Sequence, residues 1–170
     1  MQLSFTVATL VFFGTTALAA TADVMGWTER DCRGESIGCI GLNENQCCNF
    51  GKALNAIAWN LPADTHGRGF AGEACGGQQS APVMGEQSNA CYNYAEPLRS
   101  ARSIAGSPLS KRWAGRIKRD GEDCATPNQY AYYGDDGKLV TKKITPENAV
   151  EVFGWIEKGQ TDKLHTLEAF

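Results

Sequence analysis

The two stretches that decide the fold are Trp27-Thr-Glu-Arg-Asp-Cys32-Arg-Gly34 and Phe70-Ala-Gly-Glu-Ala-Cys75-Gly-Gly77, which lie 43 residues apart. Each begins with an aromatic residue, has a cysteine five positions later and ends on a glycine seven positions after the aromatic residue. Glycine adopts positive φ where a chain doubles back, and an aromatic ring can cover such a turn. The repeat therefore predicts two folded hairpins, with Gly34 and Gly77 at equivalent positive-φ positions, in two Greek-key-like units packed face to face.

These motifs resemble those of the βγ-crystallin family, in which an aromatic residue and a glycine frame a hairpin in each unit. The resemblance covers about residues 24–105. It implies a mainly β fold, with two Greek-key-like units of βγ-crystallin type stabilised by disulfides. Cys32 and Cys75 depart from the family because they stand where an aromatic residue is common. In this respect the chain is similar to small secreted cysteine-rich proteins of fungi, including killer-toxin-like members.

The closing strand of each unit also departs from the family. Asn55 and Ala56 stand in the first unit where serine is expected, whereas Ser103 fits the second. Many members bind calcium near these positions, through several oxygen ligands that are preferably anionic. Cations at Lys52 and Arg99 would oppose such a site, so we expect no calcium and no other cofactor.

The first 20 residues read as a signal peptide. They carry no charged side chain, contain an apolar run and end in small residues at Ala17-Leu-Ala-Ala20. No other run is long enough to cross a membrane. A composition of 42% hydrophobic and 21% charged residues argues against disorder in the rest. The sequence therefore predicts a folded, secreted, extracellular protein.

Six of the seven cysteines fall between residues 32 and 91, and exported chains form disulfides. The adjacent Cys47 and Cys48 are expected to reach different partners. Cys124 is left over and offers a link to a second chain. No Cys-x-x-Cys pair is present, so we expect no metal site on these thiols. We expect three bridges, in any of the 15 pairings that six cysteines allow, among Cys32, Cys39, Cys47, Cys48, Cys75 and Cys91.

Residues 106–119 form a basic, turn-rich linker in a chain whose net charge is −3. Its dibasic pairs, Lys111-Arg112 and Lys118-Arg119, resemble processing sites of kexin-like proteases, whose acidic cleft accepts both cations of an exposed segment. The alternative is a plain solvated linker. Nucleic-acid binding is not expected, because only one aromatic residue interrupts the basic run.

Residues 120–170 form an acidic α+β extension, read as a hairpin followed by a helix. Aromatic and β-branched residues flank a Gly-Asp-Asp-Gly turn at residues 134–137. Thr145 then predicts a helix N-cap and Gly159 its C-cap. One helix beside one hairpin buries too little surface to be stable alone. We therefore expect the extension to pack on residues 21–105, the predicted disulfide-rich β domain.

Catalytic machinery is not evident in the sequence. His66 and His165 belong to no nucleophile or metal motif. A carboxylate pair for glycoside hydrolysis could be drawn only from four acids on predicted turns, which are Glu29, Asp31, Glu35 and Glu73. We therefore predict that the protein is not an enzyme.

Three functional classes follow. The favoured one is a non-enzymatic effector, elicitor or toxin-like ligand that acts outside the cell on a protein or cell-wall target. The second is a carbohydrate-binding or wall-binding module, for which Trp27, Trp59 and Trp113 could stack on sugar rings. The third is a small secreted hydrolase.

Overall fold

The computed structural model describes residues 21–87, 90–106 and 124–168. It is mainly antiparallel β with a helical C-terminal part, as the sequence predicts. The predicted signal peptide, the four dibasic residues and Trp113 lie outside the described residues. The described strands are β1 (Ala22–Trp27), β2 (Glu35–Leu42), β3 (Cys47–Asn60), β4 (Thr65–Phe70), β5 (Val83–Met84), β6 (Ala90–Ala105), β7 (Cys124–Ala125), β8 (Gln129–Tyr133) and β9 (Leu139–Lys143), and the α-helices are α1 (Ala149–Glu157) and α2 (Thr161–Leu164).

The two halves of the β domain exchange strands. We call β1, β2 and β3 unit 1, and β4, β5 and β6 unit 2. The strand order is β5-β4-β6-β3-β1-β2-β8-β9, with β7 on β3. The start of β3 pairs with the end of β6, and the end of β3 pairs with the start of β6. The pairing is irregular between Asn49 and Ala56. The end of β3 lies between β1 and the start of β6, and the end of β6 lies between β4 and the start of β3. Each long strand therefore belongs to both halves.

The first strand of each unit lies beside the end of that unit's own long strand. Trp27 of β1 is opposite Ala56 of β3, and Phe70 of β4 is opposite Ser100 of β6. In each unit, the end of the long strand thus returns to pair with the first strand of that unit.

Glycines of β4 bring the two halves face to face across the core. A Cβ atom added at Gly67 would lie 2.5 Å from the Trp59 ring, and one at Gly69 would overlap Leu98 Cδ1 and approach Ile57 Cδ1 to 3.3 Å. Side chains of unit 1 and β6 therefore fill the space above these glycines. The largest fully buried side chains of the core are Trp59, Tyr130, Phe50, Phe70, Ile37, Leu42, Leu54 and Ile57.

Three disulfides join the six predicted cysteines, in the pairs Cys32–Cys91, Cys39–Cys48 and Cys47–Cys75. Cys32 and Cys75 hold the same position in the two repeated motifs. Each bridges to the start of the other unit's long strand. These two bridges close 59 and 28 residues, for which the chain-entropy relation gives about 4 kcal/mol each.

The two hairpin turns share an uncommon backbone conformation. Gly34 and Gly77 have φ of 74° and 76°, which confirms the expectation from the repeat. Each turn also contains two non-glycine residues with positive φ. They are Asp31 (57°) and Cys32 (51°) before Gly34, and Ala74 (51°) and Cys75 (54°) before Gly77. Because non-glycine residues rarely adopt this region, the matching pattern indicates that the two turns are copies of one local structure.

The serine that closes the second hairpin is Ser100, whereas the sequence pattern indicated Ser103. The Ser100 hydroxyl accepts a hydrogen bond from Cys75 N (2.9 Å) and donates one to Gly72 O (2.6 Å). Ser103 lies opposite Gly67, three residues further along β6. Ser100 meets the turn because it lies opposite Phe70 in the pairing of β4 with β6, and a count of residues along the chain does not reveal that register.

The C-terminal extension joins the sheet, which confirms that it packs on the β domain. The β8–β9 hairpin forms as predicted, and β8 pairs with β2. Helix α1 begins at Ala149 and not near Thr145, because the Thr145 amide donates to Asn148 Oδ1 (2.8 Å) and closes a turn first. Gly159, with φ of 66°, follows the helix end as expected. Val152, Ile156, Leu164 and Leu167 enter the core cluster.

Candidate binding groove

A groove of about 500 Å³ lies between the segment that follows the second hairpin turn and the start of β6. We call residues 78–83 the arm and residues 92–96 the edge segment. The arm presents Gln78, Gln79 and Ser80, and the edge segment presents Tyr92 and Tyr94. The volume is in the range of known ligand sites, which combine apolar walls with a few polar groups.

The arm is held in place by hydrogen bonds and by a disulfide. Ser80 N donates to Gly69 O, and Gly69 N donates to Ser80 Oγ, both at 2.9 Å. The Cys47–Cys75 bridge fixes the turn from which the arm starts. One wall of the groove is therefore tied to the sheet before any ligand arrives.

The edge segment is anchored from the opposite side. Cys91, which directly precedes the edge segment, is bridged to Cys32 in the hairpin turn of unit 1. Asn93 Nδ2 donates to Asp31 Oδ1 (2.6 Å), and Asp31 N donates to Asn93 Oδ1 (2.7 Å). Both walls are thus preformed, which lowers the entropic cost of binding.

Tyr94 is positioned by the core. Trp59 Nε1 donates to the Tyr94 hydroxyl at 3.2 Å, and the Trp59 side chain is buried. Burial raises the pKa of the Tyr94 phenol above its ordinary value, although the hydrogen bond from Trp59 acts in the other direction. The phenol therefore stays neutral at physiological pH and offers a ring with a fixed orientation.

The polar groups of the groove are amides, hydroxyls and one carboxylate. Among the residues that the structure describes, the charged side chain in the lining is Glu96. Its carboxylate favours a neutral or cationic ligand, because it would repel a phosphate or a carboxylate.

The four acids considered as a catalytic pair each make a different contact, and the contacts described do not pair one acid with another. Glu35 pairs with Lys52 at 3.5 Å, and Glu73 pairs with Arg99 at 3.8 Å. Asp31 is engaged with Asn93, as described above. Glu29 accompanies Gly34 in the first hairpin turn. In the described ranges, no group of three histidine, cysteine or acidic side chains could hold a metal ion.

Each of the two histidines makes a contact within the fold, His66 with a backbone carbonyl and His165 with an aromatic ring. His66 is buried, and its Nδ1 lies 2.8 Å from Gly106 O. Burial lowers the His66 pKa, and the nearby Arg68 acts in the same direction, against the raising effect of the Gly106 hydrogen bond. The His165 ring stacks on Tyr132 with centroids 3.8 Å apart.

Trp27 and Trp59, which the wall-binding alternative would place against sugar rings, are both buried. Trp27 is 5% exposed and Trp59 is 1% exposed, so neither ring face is available. Trp27 stacks on Tyr133 of the extension at 5.8 Å. The aromatic residues that line the groove are instead Tyr92 and Tyr94, which are half-buried and which the sequence did not indicate. Their alternation directly after Cys91 is the signal that could have identified an exposed strand.

Cys124 lies in β7, opposite Cys47 in a parallel pairing, and is half-buried. The three bridges use the other six cysteines. A disulfide-linked dimer through Cys124 stays a prediction from the sequence. None of the helices in the described ranges is both long enough and apolar enough to span a membrane.

The sequence profile of the ARB_05566_N family, described as an N-terminal domain, matches residues 23–128. The match covers more than half of the chain and ends just before β8, so it includes both units and β7. No curated protein and no solved structure is significantly similar to the chain. The chain belongs to the ARB_05566_N family.

Proposed function

We propose that this protein is secreted and acts outside the cell as a non-enzymatic ligand of a partner protein, in the manner of an effector, elicitor or toxin-like protein. The observation that carries the proposal is the groove, whose two walls are held by disulfides and whose lining combines tyrosines with amides. Tyrosine gives a large contact area at low entropic cost, and small polar side chains supply adaptable hydrogen bonds.

Secretion is supported by the sequence of the first 20 residues and by the three disulfides. Disulfides persist in oxidising compartments and are uncommon in the cytosol.

We further propose that the β domain is of βγ-crystallin type. Three features support it: the copied hairpin turns with positive φ, the return of each long strand to the first strand of its unit, and the exchange of strands between units. A crystal structure compared with βγ-crystallins would test this assignment.

A cell-wall carbohydrate is the second candidate ligand, because a tyrosine ring and amide groups also suit a neutral sugar. The two candidates differ in what destroys binding. Fluorescently labelled protein is applied to intact host or competitor cells, to the same cells after protease treatment, and to chitin and glucan particles. Saturable binding that protease abolishes supports a protein partner. Binding that survives protease and is reproduced by the particles supports the wall-binding module instead.

Variants connect that result to the groove. Ala81 and Ala95 are exposed and line it, so Ala81→Trp or Ala95→Trp should fill the space and reduce cell binding about tenfold or more. Ala63 is exposed and lies outside the lining, so Ala63→Trp is the matched control. Equal binding by all three variants would refute the groove as the contact surface.

A further inference from the structure

The groove has a counterpart in unit 1, which is the space between β2 and β3. A disulfide closes that space in unit 1, whereas the groove is open. In unit 1, the Cys39–Cys48 bridge ties β2 to β3. Cys39 lies opposite Val24 of β1, and the equivalent residue of β4, Gly67, lies opposite Val83. The counterpart of Cys48, one residue after the bridged cysteine of the long strand, is Tyr92. Val83 and Tyr92 cannot form a bridge, and the gap between their segments is the groove.

The C-terminal extension fills the corresponding space of unit 1. Strand β7 adds in parallel to the outer side of β3, with Cys124 opposite Cys47 and Ala125 opposite Cys48. The Phe153 ring of α1 covers Gly51, where an added Cβ would be 3.2 Å away. Tyr130 of β8 is buried in the same core cluster. In unit 1, the protein therefore fills the space beside β3 with its own extended segment, β7, followed by apolar side chains of the extension.

No described strand occupies the equivalent side of β6. Residues 90–93 and Leu98 of β6 pair with β3 on one side, whereas β4 pairs with residues 100–105. Among the described residues, no strand covers the other side of the edge segment. Exposed backbone donors and acceptors of an edge strand are a template for an added strand.

The charge of the groove lining indicates a second property of its ligand. In unit 1, Lys52 of β3 pairs with Glu35 of β2. The counterparts in unit 2 are Glu96 and Gln78, so the pair is replaced by one carboxylate beside an amide. The salt bridges within the described ranges leave Glu96 out. A cation on the ligand would complete the pairing that unit 1 makes internally.

We propose that the groove binds an extended segment of the partner protein, which adds as a strand along residues 92–96, places one apolar side chain between the arm and Tyr94, and sets a lysine or arginine against Glu96. This inference rests on the proposed function and specifies the chemistry of its partner. A saccharide could contact the tyrosines, but it could not reproduce the alternating donors and acceptors of a strand.

The test uses a phage-displayed library of random linear peptides of about 12 residues, selected on the full-length secreted protein with its disulfides intact. We expect the selected peptides to share an apolar residue and a nearby lysine or arginine. Synthetic copies carrying one N-methyl group at a time should lose affinity about tenfold at alternate positions and change little between them, because only every second amide donates to β6.

Protein variants supply the controls. Ala95→Trp should abolish peptide binding, and Ala63→Trp should leave it unchanged. Glu96→Gln should weaken binding roughly fivefold and reduce its salt dependence, whereas Glu86→Gln, at an exposed acid outside the groove lining, should not. A selection that yields no groove-dependent peptide, or an N-methyl pattern without the two-residue period, overturns strand addition. Neither result alters the outcome of the cell-binding experiment, so the two proposals fail separately.

Discussion

Ser100 and Ser103 are both buried serines of β6. Their replacement tests whether Ser100 is the residue that closes the second hairpin turn. Ser100 is 0% exposed and makes two hydrogen bonds to the second hairpin turn. Ser103 is 1% exposed, and its Oγ has no hydrogen-bond partner among the described residues. The two substitutions to alanine remove the same atom from nearly the same environment.

The expected effects differ in size and in sign. Two hydrogen bonds contribute about 0.5–1.5 kcal/mol each, and the Cys75 amide that loses its acceptor adds a desolvation cost. Ser100→Ala should therefore lower the free energy of unfolding by about 2–3 kcal/mol. Ser103→Ala removes a buried hydroxyl that makes no hydrogen bond, so it should be neutral or stabilise by up to about 1 kcal/mol.

Urea unfolding of the oxidised protein, followed by tryptophan fluorescence, measures both values. Equal losses for the two variants, or a larger loss for Ser103→Ala, would refute the assignment of Ser100 as the residue that closes the turn. Such a result would return that role to Ser103, as the sequence pattern indicated.

Three further predictions concern packing, pH and the extension. Gly38→Ala should destabilise the protein by about 2–4 kcal/mol in urea unfolding, because the added Cβ would overlap the backbone carbonyl of Val24, whereas Gly154→Ala meets open space and should be neutral or stabilising. Burial lowers the His66 pKa, so the unfolded chain takes up a proton more readily, and stability should fall as the pH drops below 6.5; His66→Asn should show a shallower fall in thermal midpoint over that range. Deletion of residues 124–168 should expose the apolar surface beside β3 and lower the thermal midpoint, and an unchanged midpoint would show that the extension is an independent appendage.

The features that the sequence predicts well are those set by local chemistry. The repeat of an aromatic residue, a cysteine and a glycine located both hairpin turns, because positive φ at Gly34 and Gly77 is a local demand. The clustering of six cysteines predicted the number of bridges, but their pairing depends on the exchange of β3 and β6, which no spacing encodes.

The groove could not be predicted because it is made by two segments that meet only in the folded chain. Residues 78–83 and 92–96 line the same groove, although β6 begins in a pairing with the end of β3. Tryptophans were considered as a contact surface only for the wall-binding alternative. Large aromatic rings also fill cores, and both Trp27 and Trp59 are buried. Exposure is a property of tertiary packing and not of residue type.

The crossed disulfides make the protein tolerant of a cut between its halves. The two units are joined in sequence only through the short connection after β3, where Ala63 and Asp64 are exposed to proteases. A chain nicked there would still be held by Cys32–Cys91 and Cys47–Cys75, each of which links residues on opposite sides of the cut. The nicked form would migrate as one species without reductant and as two fragments with it. A protein exposed to extracellular proteases would thus retain its two-part core after the first cleavage.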